Sequence, residues 1–408
     1  MDKVQADNYI SIIRTAIFKK PFPLSNPDWG QLADWAKDQS MTALFYTGAS
    51  RYESFSQWQS SQMQMDTIAA VAAQSSRTQI FLNLYQKLLA AGLRPLVLKG
   101  LVLRQLYGEL EDYRPSCDED LFVPPEQAGL CRQVLEQSGW QITSPDGGVT
   151  DGQYPHETGF DSGSNLLHLE MHTAFFGSER EDLRLCNEYL AGAAGRAIPI
   201  QIHGVTLWTL DETDHYLYLF FHLAKHFKEA GVGLRQILDM MQFQKAYGGH
   251  IQWDTVRRAV EGLHSEALYG DVDAIGLCFG FTPHKLFPES HPEALLADSL
   301  DGGVYGRNSP TRNYSFNVTS SALSRNSGKG NLFWLLFPPA SHIIAGWPEL
   351  KDHPKRLPIV WVKRIFRFLF IRRGGKVSLS ALRKGKERVS LLRLYGLLPG
   401  DRSRQKER

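Results

Sequence analysis

Cysteine is scarce, with four in 408 residues. None of Cys117, Cys131, Cys186 and Cys278 forms a CxxC pair, which excludes a zinc knuckle or a thioredoxin-like redox motif. Their scatter suits a reducing cytosol. Long apolar runs are also missing. No stretch approaches the roughly 20 apolar residues that span a bilayer. The start, Met1-Asp-Lys-Val-Gln-Ala-Asp7, lacks the basic and apolar regions of a signal peptide, so a cytoplasmic location is expected. Internal repeats are absent. Charged residues make up 22% and hydrophobic residues 43%, which excludes a disordered or collagen-like chain. At roughly 100–200 residues per domain, the length implies two to four folded units.

The formal net charge is only +2, but it is unevenly placed. Residues 351–408 carry 18 basic and 4 acidic side chains, a net of +14. The rest carries 27 basic and 39 acidic, a net of −12. A basic segment behind an acidic body points either to an anionic partner or to docking on the body itself.

Hydrophobic periodicity predicts helices over 8–90, the longest across 62–91. The pattern then changes. Leu96-Val-Leu98 reads as a buried strand, and Lys99-Gly100 ends it and opens a helix. Residues 118–123 read as a second strand and 126–138 as a helix closed by Gly139. Trp140-Gln-Ile142 starts a third strand, and Asp146-Gly-Gly148 is a turn. Residues 166–172 form another strand, and 198–202 with 205–208 form a hairpin around His203-Gly204. From Asp211 the chain is helical again, over 216–228, 234–247 and from Asp254. Residues 301–331, rich in Gly, Ser, Asn and Arg, read as an exposed linker before Trp334-Leu-Leu-Phe337.

The stretch Arg114-Pro-Ser-Cys-Asp-Glu-Asp-Leu-Phe-Val123 carries the chemistry. Alternate side chains of a strand share a face, so Asp118 and Asp120 present two carboxylates side by side. Charges that close repel unless a cation intervenes, and Mg²⁺ favours carboxylate oxygens. Upstream, Gly100 allows close backbone approach, the helix after it offers N–H groups to an anion, and Lys99 supplies a positive charge. Downstream, Leu166-Leu-His-Leu-Glu-Met-His172 alternates so that His168, Glu170 and His172 share a face, and Glu170 adds a third carboxylate. Taken together these suit phosphoryl transfer through one or two Mg²⁺ ions.

Leu96-Val-Leu-Lys-Gly-Leu101, Arg114-Pro-x-x-Asp-x-Asp-Leu-x-Val123 and Leu169-Glu-Met-His172 resemble the bacterial uncharacterised nucleotidyltransferase-like family of the polymerase-beta superfold. The resemblance continues in His222-Leu-Ala-Lys-His226, Leu234-Arg-Gln-Ile-Leu-Asp239, Phe337-Pro-Pro339 and Leu357-Pro-x-x-Trp-Val-x-Arg364, so it runs over about 80–370. It implies an α+β fold: a polymerase-beta-like core, a small mixed sheet with helices, flanked by N-terminal, middle and C-terminal helical regions. The expected divisions are 1–78, a core over 79–210, a helical domain over 211–300, the linker over 301–331 and a basic segment over 332–408. It further implies that Asp118, Asp120 and Glu170 bind Mg²⁺ or Mn²⁺ and carry catalysis. Lys99, Gly100 and Arg114, with His172, His222 and His226, would surround a nucleoside triphosphate. An acceptor hydroxyl, on a small molecule, sugar or peptide, would attack the α-phosphate and release pyrophosphate. Glu119 departs from the family, which has an apolar residue there. Facing the opposite side of the strand, it needs a partner or an exposed edge.

His222 and His226 lie one turn apart, as a metal pair or a pocket wall would, although no metalloprotease glutamate follows His222. Arg235 and Asp239 have the spacing of a local ion pair. Residues 359–373 pattern as a basic amphipathic helix, with Trp361, Ile365, Phe368 and Leu369 opposite Lys363, Arg364, Arg367 and Arg372. Such a helix packs on the body or lies on an anionic membrane. No stacking module or recognition helix marks nucleic acid as a partner. The alternative to an enzyme is a non-catalytic nucleotide-binding adaptor on the same fold, membrane-peripheral in a surface-polymer pathway.

Overall fold

The apolar residues of the long helix expected over 62–91 find their partners on one face of a mixed sheet. The computed structural model describes residues 2–58, 61–143, 155–304, 353–366 and 375–398, with single residues 306, 312, 319, 343, 347 and 350. The chain divides into two compact units, Met1–Ala224 with Leu234–Leu300, and Lys225–Gly233 with Asp301–Arg408.

In the first unit, the chain opens with α1 (Lys3–Phe18), α2 (Trp29–Asp38), α3 (Thr42–Ala49) and α4 (Glu53–Gln57). Asp2 and Asp28 cap α1 and α2 by accepting from backbone N–H groups. The long helix α5 (Ser61–Ala90) ends where Leu93 N–H closes back on Leu88 O at 3.0 Å, a turn that Gly92 permits with φ +82°.

The strands are β1 (Leu96–Val97), β2 (Asp118–Phe122), β3 (Gln141–Ile142), β4 (Glu157–Asp161), β5 (His168–His172), β6 (Ile198–Ile202) and β7 (Val205–Thr209). They form one sheet in the order β3-β4-β5-β2-β1-β7-β6. β2 runs parallel to β5 and β1 parallel to β7, while the other neighbours are antiparallel. The mixed α+β architecture is the one expected.

Between β1 and β2 lie the one-turn helix α6 (Leu101–Arg104) and a 3-10 segment, Gln105–Tyr113, which is broken at Gly108 with φ +58°. After β2 comes α7 (Ala128–Gln137), and after β5 comes α8 (Glu181–Tyr189). The core joins Phe81, Leu82, Tyr85 and Leu88 of α5 and Cys131 and Leu135 of α7 to Val97, Leu121, Leu169, Met171 and Leu207 of the sheet. Each such large side chain contributes about 1.5–3 kcal/mol through burial. This packing fixes which face of β2 and β5 is left for Asp120 and Glu170.

The other side of the unit is helical: α9 (Glu212–Glu229, to Ala224 in this unit), α10 (Leu234–Tyr247), α11 (Trp253–Gly262), α12 (Glu266–Cys278) and the start of α13 (Pro292–Gly302). All four cysteines are free.

The second unit includes α14 (Leu357–Phe366) and α15 (Gly375–Leu394). Here part of the basic excess is docked on the protein itself. Arg388 is buried, donates to Phe227 O and lies over the Phe227 ring. Arg312 and Lys384 both pair with Asp301, at 2.9 and 2.7 Å. Of the stretch read as an exposed linker, the described Arg312 and Thr319 are buried. On α14, Val360 is buried and Ile359 and Val362 are exposed. The Asp146-Gly-Gly148 turn, the 332–339 segment and the residues 367–373 of the basic helix lie outside the described residues. Among the described residues, no helix is long and apolar enough to cross a membrane.

Candidate active site

Parallel pairing places Asp118 opposite His168, Asp120 opposite Glu170 and Phe122 opposite His172. Two carboxylates in directly opposed positions lie within a few ångströms of each other. The structure gathers Asp120, Glu170 and His172, each offering one ligand atom, with all three atoms within 4.8 Å of one another. Asp118, expected as a metal ligand, is half-buried and stands outside this trio. His172, expected against the nucleotide, is inside it. His168 pairs instead with Asp161 at 2.7 Å, on the neighbouring strand.

Lys99, at the end of β1, reaches the trio. Its Nζ lies 3.1 Å from Asp120 Oδ1 and 2.8 Å from His222 Nε2. An ammonium only donates, so His222 must accept through Nε2 and carry its proton on Nδ1. His172 Nε2 approaches Asp120 Oδ1 at 3.2 Å and Glu170 Oε2 at 3.6 Å. Burial opposes the charge on Asp120, but Lys99 and His172 outweigh it and hold the carboxyl below the usual carboxylate range. Burial likewise opposes the charge on His172, yet its bonds to Asp120 and Glu170 push it up to about 9. Burial also works against Lys99, and is outweighed by Asp120, then Tyr218, Asp118 and Glu170, so its pKa is raised. The charge of Asp118 therefore reaches the site, although the residue is outside the trio.

The supports of this geometry come from far along the chain. Leu98 N–H donates to Asp120 O at 3.0 Å, tying β1 to β2. His215 of α9 holds Leu98 O through Nε2 at 2.7 Å, just before Lys99. Tyr218, one turn before His222, is buried against Phe176 and close enough to Lys99, Asp120 and Glu170 to feel their charges. No local pattern marks His215 in the sequence, because the carbonyl it holds lies 117 positions away. His226, one turn beyond His222, is half-buried and belongs to the second unit.

Arg114 is buried in an ion pair. Its guanidinium grips Asp239 of α10 from two nitrogens, Nε to Oδ1 at 3.0 Å and a terminal nitrogen to Oδ2 at 2.5 Å, with both side chains buried. Tyr107 Oη donates to the same Oδ1 at 2.8 Å. Arg235, one turn before Asp239, donates to Pro115 O at 2.8 Å. The N–H groups after Gly100 are not all free for an anion, because Leu101 N–H donates to Glu119 at 2.9 Å. Glu119, the departure noted in the sequence, is buried and pairs with Arg104 at 3.3 Å.

The family model described as uncharacterised nucleotidyltransferase matches residues 25–271, more than half of the chain. The chain belongs to this nucleotidyltransferase family. Among curated proteins and among solved structures nothing matches it. The match takes in Lys99, Asp118, Asp120, Glu170, His172, His222 and Asp239, and so every element around the carboxylates. It starts before the resemblance noted from about residue 80 and ends before Phe337-Pro-Pro339 and Leu357. The family match takes in α2 to α5, which lie in the same compact unit as the sheet.

Proposed function

We propose that this nucleotidyltransferase is Mg²⁺-dependent and moves a nucleotide monophosphate from a nucleoside triphosphate to the hydroxyl of a small-molecule, sugar or peptide acceptor, releasing pyrophosphate. The observation that carries this reading is the meeting of Asp120 and Glu170 on adjacent parallel strands with Lys99 beside them. Two carboxylate oxygens at one spot suit a hard cation. Asp120 and Glu170 would hold the ion, with Asp118 two residues back on the same face of β2 as the third carboxylate. When bound, a divalent ion supplies neutralisation of triphosphate charge.

The remaining work falls to the chain's own side chains. Lys99 pairs with a phosphate oxygen, a role suited to a compact ammonium. His222 orients Lys99 through the 2.8 Å bond. Glu170, half-buried and so reachable, accepts the proton of the attacking hydroxyl. Positioning and charge stabilisation supply most of the rate enhancement.

The test is pyrophosphate release by the full chain with Mg²⁺, each of the four nucleoside triphosphates and a panel of hydroxyl acceptors. Release that depends on Mg²⁺ and vanishes in Asp118→Asn/Asp120→Asn supports the reading. Turnover that survives the double substitution refutes it.

A further inference from the structure

Glu119 lies between the two aspartates but points the other way, into the side of the sheet covered by α5 and α7. A carboxylate there costs free energy unless it is well partnered. It is 1% exposed, as is Arg104. One oxygen accepts Leu101 N–H at 2.9 Å and the other accepts from Arg104 at 3.3 Å. Arg104 donates from the same nitrogen to Thr78 Oγ1 of α5 at 3.2 Å. Gly100 has φ +56° and ψ −112°, and a Cβ on it would collide with the Glu119 carboxylate. The turn Lys99-Gly100-Leu101 is thus folded around this one side chain. Lys99 sits on that turn and reaches through it to Asp120, the next residue on β2.

We propose that Glu119 is a positioning residue for Lys99. It clamps the Lys99-Gly100 turn to β2 through Leu101 N–H and Arg104, so that the ammonium is held at the Asp120 carboxylate before any ligand arrives. What Lys99 then binds, a triphosphate, rests on the reading given above. The clamp itself does not. An apolar residue at 119 would pack in the same space but leave Leu101 N–H and Arg104 without their acceptor, and the turn free to shift. A shift of about 1 Å is enough to misplace a group that must meet a phosphate oxygen.

The test compares the full chain with Glu119→Gln, which keeps one acceptor for Leu101 N–H, and Glu119→Leu, which keeps none. Because Glu119→Leu strands Arg104 in the core and can fail to fold, Glu119→Leu/Arg104→Leu is made as well. Two quantities are read. One is the affinity for inorganic triphosphate with Mg²⁺, by calorimetry, a probe that needs no knowledge of the base. The other is the ammonium NMR signal of Lys99 in the ligand-free protein, assigned by its loss in Lys99→Met. The expected result is wild-type affinity within about threefold for Glu119→Gln and a loss on the order of tenfold for either leucine variant, the size of one charge-assisted hydrogen bond. The Lys99 signal should persist in Glu119→Gln and broaden away in the leucine variants. A folded leucine variant that keeps both the affinity and the signal overturns the proposal. If the wild-type chain binds no triphosphate, the functional reading fails, and the Lys99 signal alone still decides the role of Glu119.

Discussion

Replacing Asp239 with alanine should unlatch α10 from the turn that leads into β2. Asp239 accepts three hydrogen bonds: from Tyr107 at 2.8 Å and from Arg114 at 3.0 and 2.5 Å. The Arg114 and Asp239 side chains are 6% and 5% exposed, so water cannot replace the lost partner. Burial works against the Arg114 charge and is outweighed by Asp239, which leaves the guanidinium firmly protonated. Asp239→Ala therefore leaves a full positive charge buried without its counter-ion and a phenol without its acceptor. Breaking a buried pair in this way costs about 3–5 kcal/mol. At roughly 2–4 °C per kcal/mol, the melting temperature of the first unit should fall by roughly 6–20 °C. Arg114→Met/Asp239→Leu removes both charges together and should recover most of that loss. Thermal melts of the two singles and the double give the coupling energy. Hydrogen exchange should also rise over 114–118 in Asp239→Ala, because the turn loses its anchor. A single variant that melts within about 2 °C of wild type, or a coupling below about 1 kcal/mol, would show that the latch carries no stability and refute the reasoning.

Other consequences are as direct. Asp120→Asn removes a carboxylate donor and should weaken Mn²⁺ binding, read by EPR, by at least tenfold, since even groups behind the ligands are worth that much; unchanged binding places the metal elsewhere. Gly100→Ala should destabilise by about 1–3 kcal/mol through its positive φ, in addition to the collision with Glu119, and a denaturant titration with no shift in midpoint would contradict this. Asp273 is buried with one oxygen accepting from Gln244 at 3.3 Å, and burial pushes its carboxyl up to about 7. A carboxyl raised in the folded state contributes stability that is complete below about pH 4 and lost as pH rises through about 7. Asp273→Asn should therefore raise the melting temperature at pH 8 and leave it nearly unchanged at pH 4, and an equal effect at both would disprove the assignment.

Much of the fold was legible because its signals are local. The strand alternation of 118–122 and 168–172, the hairpin at His203-Gly204 and the long helix before Gly92 all appear where periodicity and turn residues put them. β4 was not legible. Glu157-Thr-Gly-Phe-Asp161 carries one large apolar side chain, and it is a strand because β3 and β5 flank it. The helix that Gly100 opens runs for only one turn, because a 3-10 segment broken at Gly108 takes over from Gln105. The basic C-terminal segment could not be interpreted by charge counting, whereas Lys384 and Arg388 show part of it bound within its own unit.

The sequence by itself determined which residues share a face, because the periods of strand and helix are short and set by backbone geometry. That was enough to pair Asp118 with Asp120, to bring Glu170 and His172 onto one side, and to turn Glu119 away. It could not determine which of those side chains meet. Asp120 rather than Asp118 faces Glu170 because of the register between β2 and β5, and His172 joins them for the same reason. Arg114 pairs with Asp239, 125 positions away. Charged groups choose partners by distance in space and by burial, and only the packed tertiary structure sets those two quantities.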